Sequence, residues 1–311
     1  MLRRYNEILL NKTYDGSNGL KECVEIEEEK WMVKSHSRIK NTYDYSNSIY
    51  SEHIGSGLFR LLGIDSQETM LGIHKFRDDK ERESVYCKDI EYQTGKQLVT
   101  FKKLFNTLGN SMTSARILLS DFNNIVKNQN MFNSDEVLKW FYKVYAIDTI
   151  LSNPDRHLGN IAMLFDGSNY TIAPIYDCGS CLYPQMPEEI QKKIVDERDE
   201  NEITKRVDEF MTSAFEEDFN GKVRKINYKE YIMRTGDKNI LDGYKWLSSV
   251  YDREKVLNWI YNQDCVPSYV KKVSQLMIQI RYKRIVEAAL DRWENSYSDF
   301  TCNDELDKVG K

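Results

Sequence analysis

The spacing of apolar and polar positions changes near residue 95. Before it, short runs rich in β-branched and aromatic residues, at 8–14, 22–27, 30–34, 68–74 and 83–88, are separated by turn signals and read as strands. The acidic cluster Glu27, Glu28 and Glu29 falls in a solvated turn between the second and third. One stretch is helical instead. Across 46–62, Ile49, His53, Leu58 and Leu61 or Leu62 recur at helical spacing, Ser46 or Asn47 can cap the start, and Gly63 stands where a terminal glycine ends a helix. After about Lys96 the 3.6-residue period takes over. Met112, Ala115, Leu118, Leu119, Phe122, Ile125 and Val126 form one apolar face, and Val137, Leu138, Phe141, Val144, Tyr145 and Ile147 another. The longest helical stretch runs over 268–293. Residues 151–184 are a non-helical island, the mixed-charge segment 188–218 reads as solvated helices, and 296–311 is polar and expected to fray. The pattern predicts an α+β protein of two lobes: a small strand-rich lobe over 1–95 carrying one helix, and a larger, mostly helical lobe over 96–311 with one inserted hairpin.

Composition narrows the class. Across 311 residues, 44 Lys and Arg stand against 49 Asp and Glu, a net charge of −5 that opposes a main role in gripping nucleic acid or an anionic membrane. Gly 15 and Pro 5 are too few for a linker-rich or collagen-like chain. The first residues lack the apolar core of a secretory signal, and no apolar stretch approaches the roughly 18–20 residues that span a bilayer. A cytoplasmic protein without membrane contact is expected. Six cysteines are scattered over the whole chain, so reduced thiols are the default. Cys178-Gly-Ser-Cys181 is the one C-x-x-C, and with no second pair and no nearby His it lacks the ligands of a closed zinc site.

The chemistry concentrates in the island. Asp155-Arg-His157-Leu-Gly-Asn160 precedes an apolar run to Phe165, a turn at Asp166-Gly-Ser-Asn169, a second run to Tyr176, and Asp177-Cys-Gly179. A hairpin brings its ends together, so Asn160 at its entry and Asp177 at its exit become neighbours, with Asp155 on the loop before them. Hard cations such as Mg²⁺ take oxygen ligands, often one or two carboxylates plus substrate phosphates. Asn160 and Asp177 suit that role, and Asp155 is then free to orient or deprotonate a hydroxyl. An Asp and an Asn in this spacing, followed by an Asp-x-Gly, is the layout of a kinase catalytic loop and its metal-binding Asp. The strand-rich half should then supply a phosphate cradle and a lysine. Gly16, Ser17, Asn18 and Gly19 form a glycine-rich loop between the first two strands. Lys34 ends the third strand, and Glu52 on the following helix is its available counter-charge.

The run 172–184, Ile-Ala-Pro-Ile-Tyr-Asp-Cys-Gly-Ser-Cys-Leu-Tyr-Pro, with Asn153-Pro-Asp-Arg-His-Leu-Gly-Asn160 resembles the HipA-like serine/threonine kinases, above all the short CtkA-type members that lack an extra N-terminal subdomain. The similarity runs over most of the chain, with the motifs in the family's order. It implies a two-lobed protein-kinase-like fold, with ATP and Mg²⁺ as cofactors. Asp155 would be the catalytic Asp, Asn160 and Asp177 the metal ligands, and Lys34 the ATP-contacting lysine. Tyr86, Cys87 and Lys88 would form the adenine hinge, and Ser17 would be the counterpart of the serine that such kinases phosphorylate in their own loop. His157 would pack in the loop or join the nucleotide site. A protein substrate with a Ser or Thr acceptor is implied, and the family's habits leave room for a cognate antitoxin, a toxin role, or secretion as an effector. Two other readings stay open on the motif alone: a phosphatidylinositol-kinase-like lipid kinase, and a nucleotide-binding pseudokinase acting through a partner.

Overall fold

A computed structural model describes residues 2–14, 20–39, 41, 42, 44–109, 114, 116–197, 200–209 and 212–294. The first lobe is an antiparallel sheet of five strands, β1 (Ile8–Leu10), β2 (Lys21–Ile26), β3 (Glu29–Ser35), β4 (Thr69–Lys75) and β5 (Glu81–Lys88), in the order β1-β2-β3-β5-β4. Between β3 and β4 runs α1 (Ser48–Leu61). Alternation places Val24, Ile26, Trp31, Val33, Phe76 and Tyr86 in a small core of their own. Val85 and Cys87 belong instead to the large core, together with Ile54 and Leu58 of α1. That core continues without a break into the second lobe, so α1 is the element through which the lobes share buried surface.

Gly63 ends α1 as expected, whereas Asn47 stands at the N-cap position without a side-chain hydrogen bond to the first turn. Gly63 has φ +86°, its N–H reaches the Arg60 carbonyl at 3.0 Å, and the Ile64 N–H reaches that of Phe59 at 2.9 Å. This is the double hydrogen bond of a Schellman termination.

The second lobe opens with α2 (Ile90–Thr94), β6 (Gln97–Thr100) and α3 (Phe101–Thr107). Then come α4 (Leu119–Lys127) and α5 (Ser134–Leu151), the latter capped by the Asn133 side chain and buried along most of its length. Strands β7 (Ala162–Phe165) and β8 (Tyr170–Ile172) form the expected hairpin, its turn held by Asp166 Oδ1, which accepts from the Ser168 and Asn169 N–H groups. After α6 (Glu188–Glu197) and α7 (Glu200–Glu209), β9 (Thr212–Phe219) and β10 (Lys222–Asn227) make a second hairpin. Helices α8 (Tyr228–Arg234), α9 (Lys238–Val250), α10 (Arg253–Tyr261) and α11 (Ser268–Arg281) complete the lobe. The chain continues from α11 through a π-helical segment, Tyr282–Glu287, to Glu294.

Two expectations need correction here. Of the segment 188–218, 188–197 and 200–209 are helical as expected but 212–218 belong to β9, because Glu217 finds Arg224 at 3.0 Å across the ladder and Phe215 buries against Phe122 and Phe141. The helical lobe also holds a strand beside the expected hairpin: β6 pairs with β7 in a three-stranded sheet, so one inserted hairpin understates the β content. The predicted face beginning at Met112 corresponds to a helix starting at Leu119, with Met112 and Ala115 outside the described residues.

Candidate active site

The cleft-side chemistry starts with Lys34 on β3. The two-residue turn at Glu27 and Glu28 fixes the β2–β3 register, and β5 pairs along the other side of β3. Lys34 is therefore held in the middle of the sheet, 8% exposed. Its ammonium lies 2.9 Å from Glu52 Oε2 and 3.1 Å from Asp177 Oδ1. Burial alone would push the Lys34 pKa down, but the Asp177 and Glu52 carboxylates outweigh it and hold the ammonium charged. Asp177, in turn, is held below the usual carboxylate range by the Lys34 charge, against the effect of burial.

Glu52 uses both oxygens. Oε1 accepts the Cys178 backbone N–H at 2.8 Å, so the carboxylate joins β3 to the segment following β8. The close approach explains two glycines. A Cβ on Gly55 of α1 would meet the Cys178 Cβ at 2.7 Å, and one on Gly179 would sit 3.2 Å from Glu52 Oε2. Asp177 adopts φ +56°, an uncommon conformation for a residue with a side chain.

Asp155 and Asn160 come from the loop after α5, which ends in Ser152 with φ +54°. The Asn153 carbonyl oxygen Oδ1 accepts the Asp155 N–H at 3.1 Å, and Asn160 Nδ2 donates to the Asp155 carbonyl at 2.9 Å. With its nitrogen so committed, the amide of Asn160 presents its oxygen as the remaining ligand atom. Burial raises the Asp155 pKa, with the Asp177 charge adding to it and His157, Arg156 and Lys225 opposing. His157 Nε2 is 3.8 Å from Asp155 Oδ1, while its Nδ1 accepts the Gly159 N–H at 3.1 Å, so the ring both braces the turn and faces the acid.

A mixed amide and carboxylate pair suits Mg²⁺, which needs few protein oxygens and completes its shell with water and phosphate. Among the described residues no group of three or more His, Cys, Asp and Glu side chains forms a denser metal site. Cys178 and Cys181 are buried free thiols.

The expected hinge, 86–88, coincides with the end of β5. Tyr86 and Cys87 lie inside β5, between β3 and β4; the Tyr86 hydroxyl donates to Glu7 Oε2 at 3.0 Å, while the buried Cys87 thiol feels the charges of Lys34, Glu52 and Asp177. The Lys88 N–H donates to the Glu68 carbonyl at 2.9 Å, its carbonyl accepts from Gln67 Nε2 at 2.8 Å, and its ammonium pairs with Glu29 at 2.7 Å. Gly16, Ser17, Asn18 and Gly19 lie outside the described residues. Lys21 went unnoticed in the sequence. It stands directly across the β2–β3 ladder from Lys34, half-buried, its pKa lowered by burial and by the Lys34 charge while Asp177 and Glu52 oppose. A tight turn at Glu27 and Glu28 already implies this register, so the signal was in the hairpin.

A β-rich lobe holding a lysine–glutamate pair above a helical lobe that presents Asp155, Asn160 and Asp177 is the architecture of the protein-kinase-like phosphotransferases. Residues 11–235 match the HipA-like C-terminal domain family, and the chain belongs to it. It is 32% identical over 292 residues to the serine/threonine-protein kinase CtkA of Helicobacter pylori (strain J99), covering 92% of this chain and 86% of that one. The crystal structure of the Helicobacter pylori proinflammatory kinase CtkA superimposes with a TM-score of 0.81 at 29% identity, covering 93% of this chain and 96% of that chain. The HipA structure from a Shewanella oneidensis MR-1 complex with HipB and operator DNA gives a TM-score of 0.49 at 12% identity, over 92% of this chain and 66% of that one.

Proposed function

We propose that this HipA-like serine/threonine kinase transfers the γ-phosphoryl group of ATP, with Mg²⁺, to a Ser or Thr hydroxyl of a protein. The observation that carries the reading is the Lys34 ammonium, held between Glu52 at 2.9 Å and Asp177 at 3.1 Å. An ammonium has three donors; with two directed to carboxylates, the third can meet an α- or β-phosphate oxygen. Lys21, opposite Lys34, adds a second cation on the phosphate side. Asn160 through its amide oxygen and Asp177 through its carboxylate would hold Mg²⁺, which supplies charge neutralisation at the β- and γ-phosphates. Asp155 orients the acceptor hydroxyl and takes its proton as the new O–P bond forms and the bond to the ADP oxygen breaks. Catalysis here is mainly positioning and electrostatics.

Ser17, in the glycine-rich segment before β2, is the candidate for self-phosphorylation. A phosphopeptide spanning 13–21 that disappears in Ser17→Ala supports it, and label confined to other sites refutes it. The transfer reaction itself is tested with labelled ATP and Mg²⁺. The wild-type chain should label itself or an added protein, and Asp155→Asn should lose transfer while keeping ATP binding. ATP binding without any transfer by the wild type would convert the reading to a pseudokinase, and label on phosphoinositide alone would convert it to a lipid kinase. Phosphoproteomes of cells expressing the wild type beside Asp155→Asn would name the substrate.

A further inference from the structure

Arg156 lies between Asp155 and His157 in the loop, yet its guanidinium has no acceptor atom and takes no part in the proton chemistry. It is 3% exposed. Nε and Nη2 meet the two carboxylate oxygens of Asp148, itself 1% exposed on α5, at 3.1 and 3.4 Å. Nη1 donates to the backbone carbonyl of Asn160 at 3.2 Å and to that of Tyr176. Nη2 also approaches Cys178 Sγ at 3.3 Å. One planar cation thus touches helix α5, the residue carrying the Asn160 amide, and both residues flanking Asp177.

The need for such a tie follows from the topology. Asn160 and Asp177 sit at opposite ends of the β7–β8 hairpin, and hairpin ends splay unless something closes them. Asp177 also has the left-handed backbone, φ +56°, that needs support from both sides. Arg156 supplies one side through the Tyr176 carbonyl, and Glu52 supplies the other through the Cys178 N–H at 2.8 Å. Neutralising Asp148 would require only a positive charge. Reaching Asp148 and two uncharged carbonyls on separate segments requires the rigid fork of a guanidinium, which a single ammonium nitrogen does not span.

We propose that Arg156 is a positioning residue that sets the spacing of Asn160 and Asp177, so that their oxygens form one divalent-cation seat. The inference rests on the reading of those two residues as the Mg²⁺ ligands. The probe is Mn²⁺ with the β,γ-imido analogue of ATP, followed by the water-proton relaxation enhancement of protein-bound Mn²⁺. Nucleotide binding in chelator and thermal unfolding are measured alongside. Arg156→Lys should fold, bind the analogue without metal within about twofold of wild type, and lose at least tenfold in Mn²⁺ affinity, with kcat falling in parallel. Asp148→Asn with Arg156→Gln leaves no buried charge unpaired and should show the same Mn²⁺ loss, so it carries the test if the lysine variant does not fold. Wild-type Mn²⁺ affinity in whichever of these variants folds overturns the positioning role. Absence of protein-bound Mn²⁺ in the wild type overturns the metal reading itself, independently of Arg156.

Discussion

Glu52 carries one carboxylate oxygen to the Lys34 ammonium at 2.9 Å and the other to the Cys178 N–H at 2.8 Å, so one buried side chain sets both the Lys34 ammonium and the backbone beside Asp177. Glu52→Gln removes the charge but keeps an acceptor for either donor. Hydrogen bonds to a charged group contribute about 1.5–3 kcal/mol, so kcat/KM for ATP should fall roughly 10- to 100-fold. Steady-state kinetics checks it, and an unchanged value would remove Glu52 from the nucleotide site.

His74 is 2% exposed on β4 and lies between two carboxylates, Nδ1 2.6 Å from Glu7 and Nε2 3.1 Å from Glu22. Burial by itself lowers its pKa, but the two partners outweigh burial and raise it above the ordinary value of 6.5. A raised folded-state value means the contribution is fully present below about 6.5 and fades as pH rises through the folded value. Denaturant midpoints of wild type and His74→Gln should therefore differ most near pH 6 and converge at alkaline pH. A gap that widens with pH would contradict the assignment.

The β2–β3 turn places Glu27 at φ 51° and Glu28 at φ 66°, both in the left-handed region. A turn of this kind favours Asn-Gly, since a Cβ costs on the order of 1 kcal/mol there. Replacing Glu27 by Asn and Glu28 by Gly should stabilise the chain by about 1 kcal/mol, read from the denaturant midpoint, without altering ATP affinity.

Gly57 of α1 packs against Trp259 of α10 so closely that a Cβ would lie 2.2 Å from the indole ring. Alanine normally gains about 1 kcal/mol over glycine in a helix. At this position overpacking should win, with Gly57→Ala destabilising by roughly 1–3 kcal/mol in chemical denaturation. A stabilised variant would show that the α1–α10 contact yields freely.

Much of the site was readable because its parts are local. The Asp155 to Asn160 spacing, the hairpin turn at Asp166, and the Gly63 stop on α1 each depend on residues within one turn of one another. Lys21 could have been read from the same local rules, since the turn at Glu27 sets its partner. The β9–β10 hairpin could not. Glu216, Glu217 and Asp218 disfavour a strand by propensity, and only the pairing with Lys225, Arg224 and Val223 makes β9 stable.

The sequence by itself determined the two-lobed α+β plan, the order of the motifs, and the residue types able to hold phosphate, metal and hydroxyl. Tertiary structure alone decided that Lys34, besides the Glu52 read from the sequence, also meets Asp177 across 143 positions, and that Arg156 is a buried fork from Asp148 to the carbonyls of Asn160 and Tyr176. The physical reason is the same for both. A buried cation is tolerated only where several distant segments bring their oxygens to it, and that convergence belongs to the packed chain, not to any stretch of it.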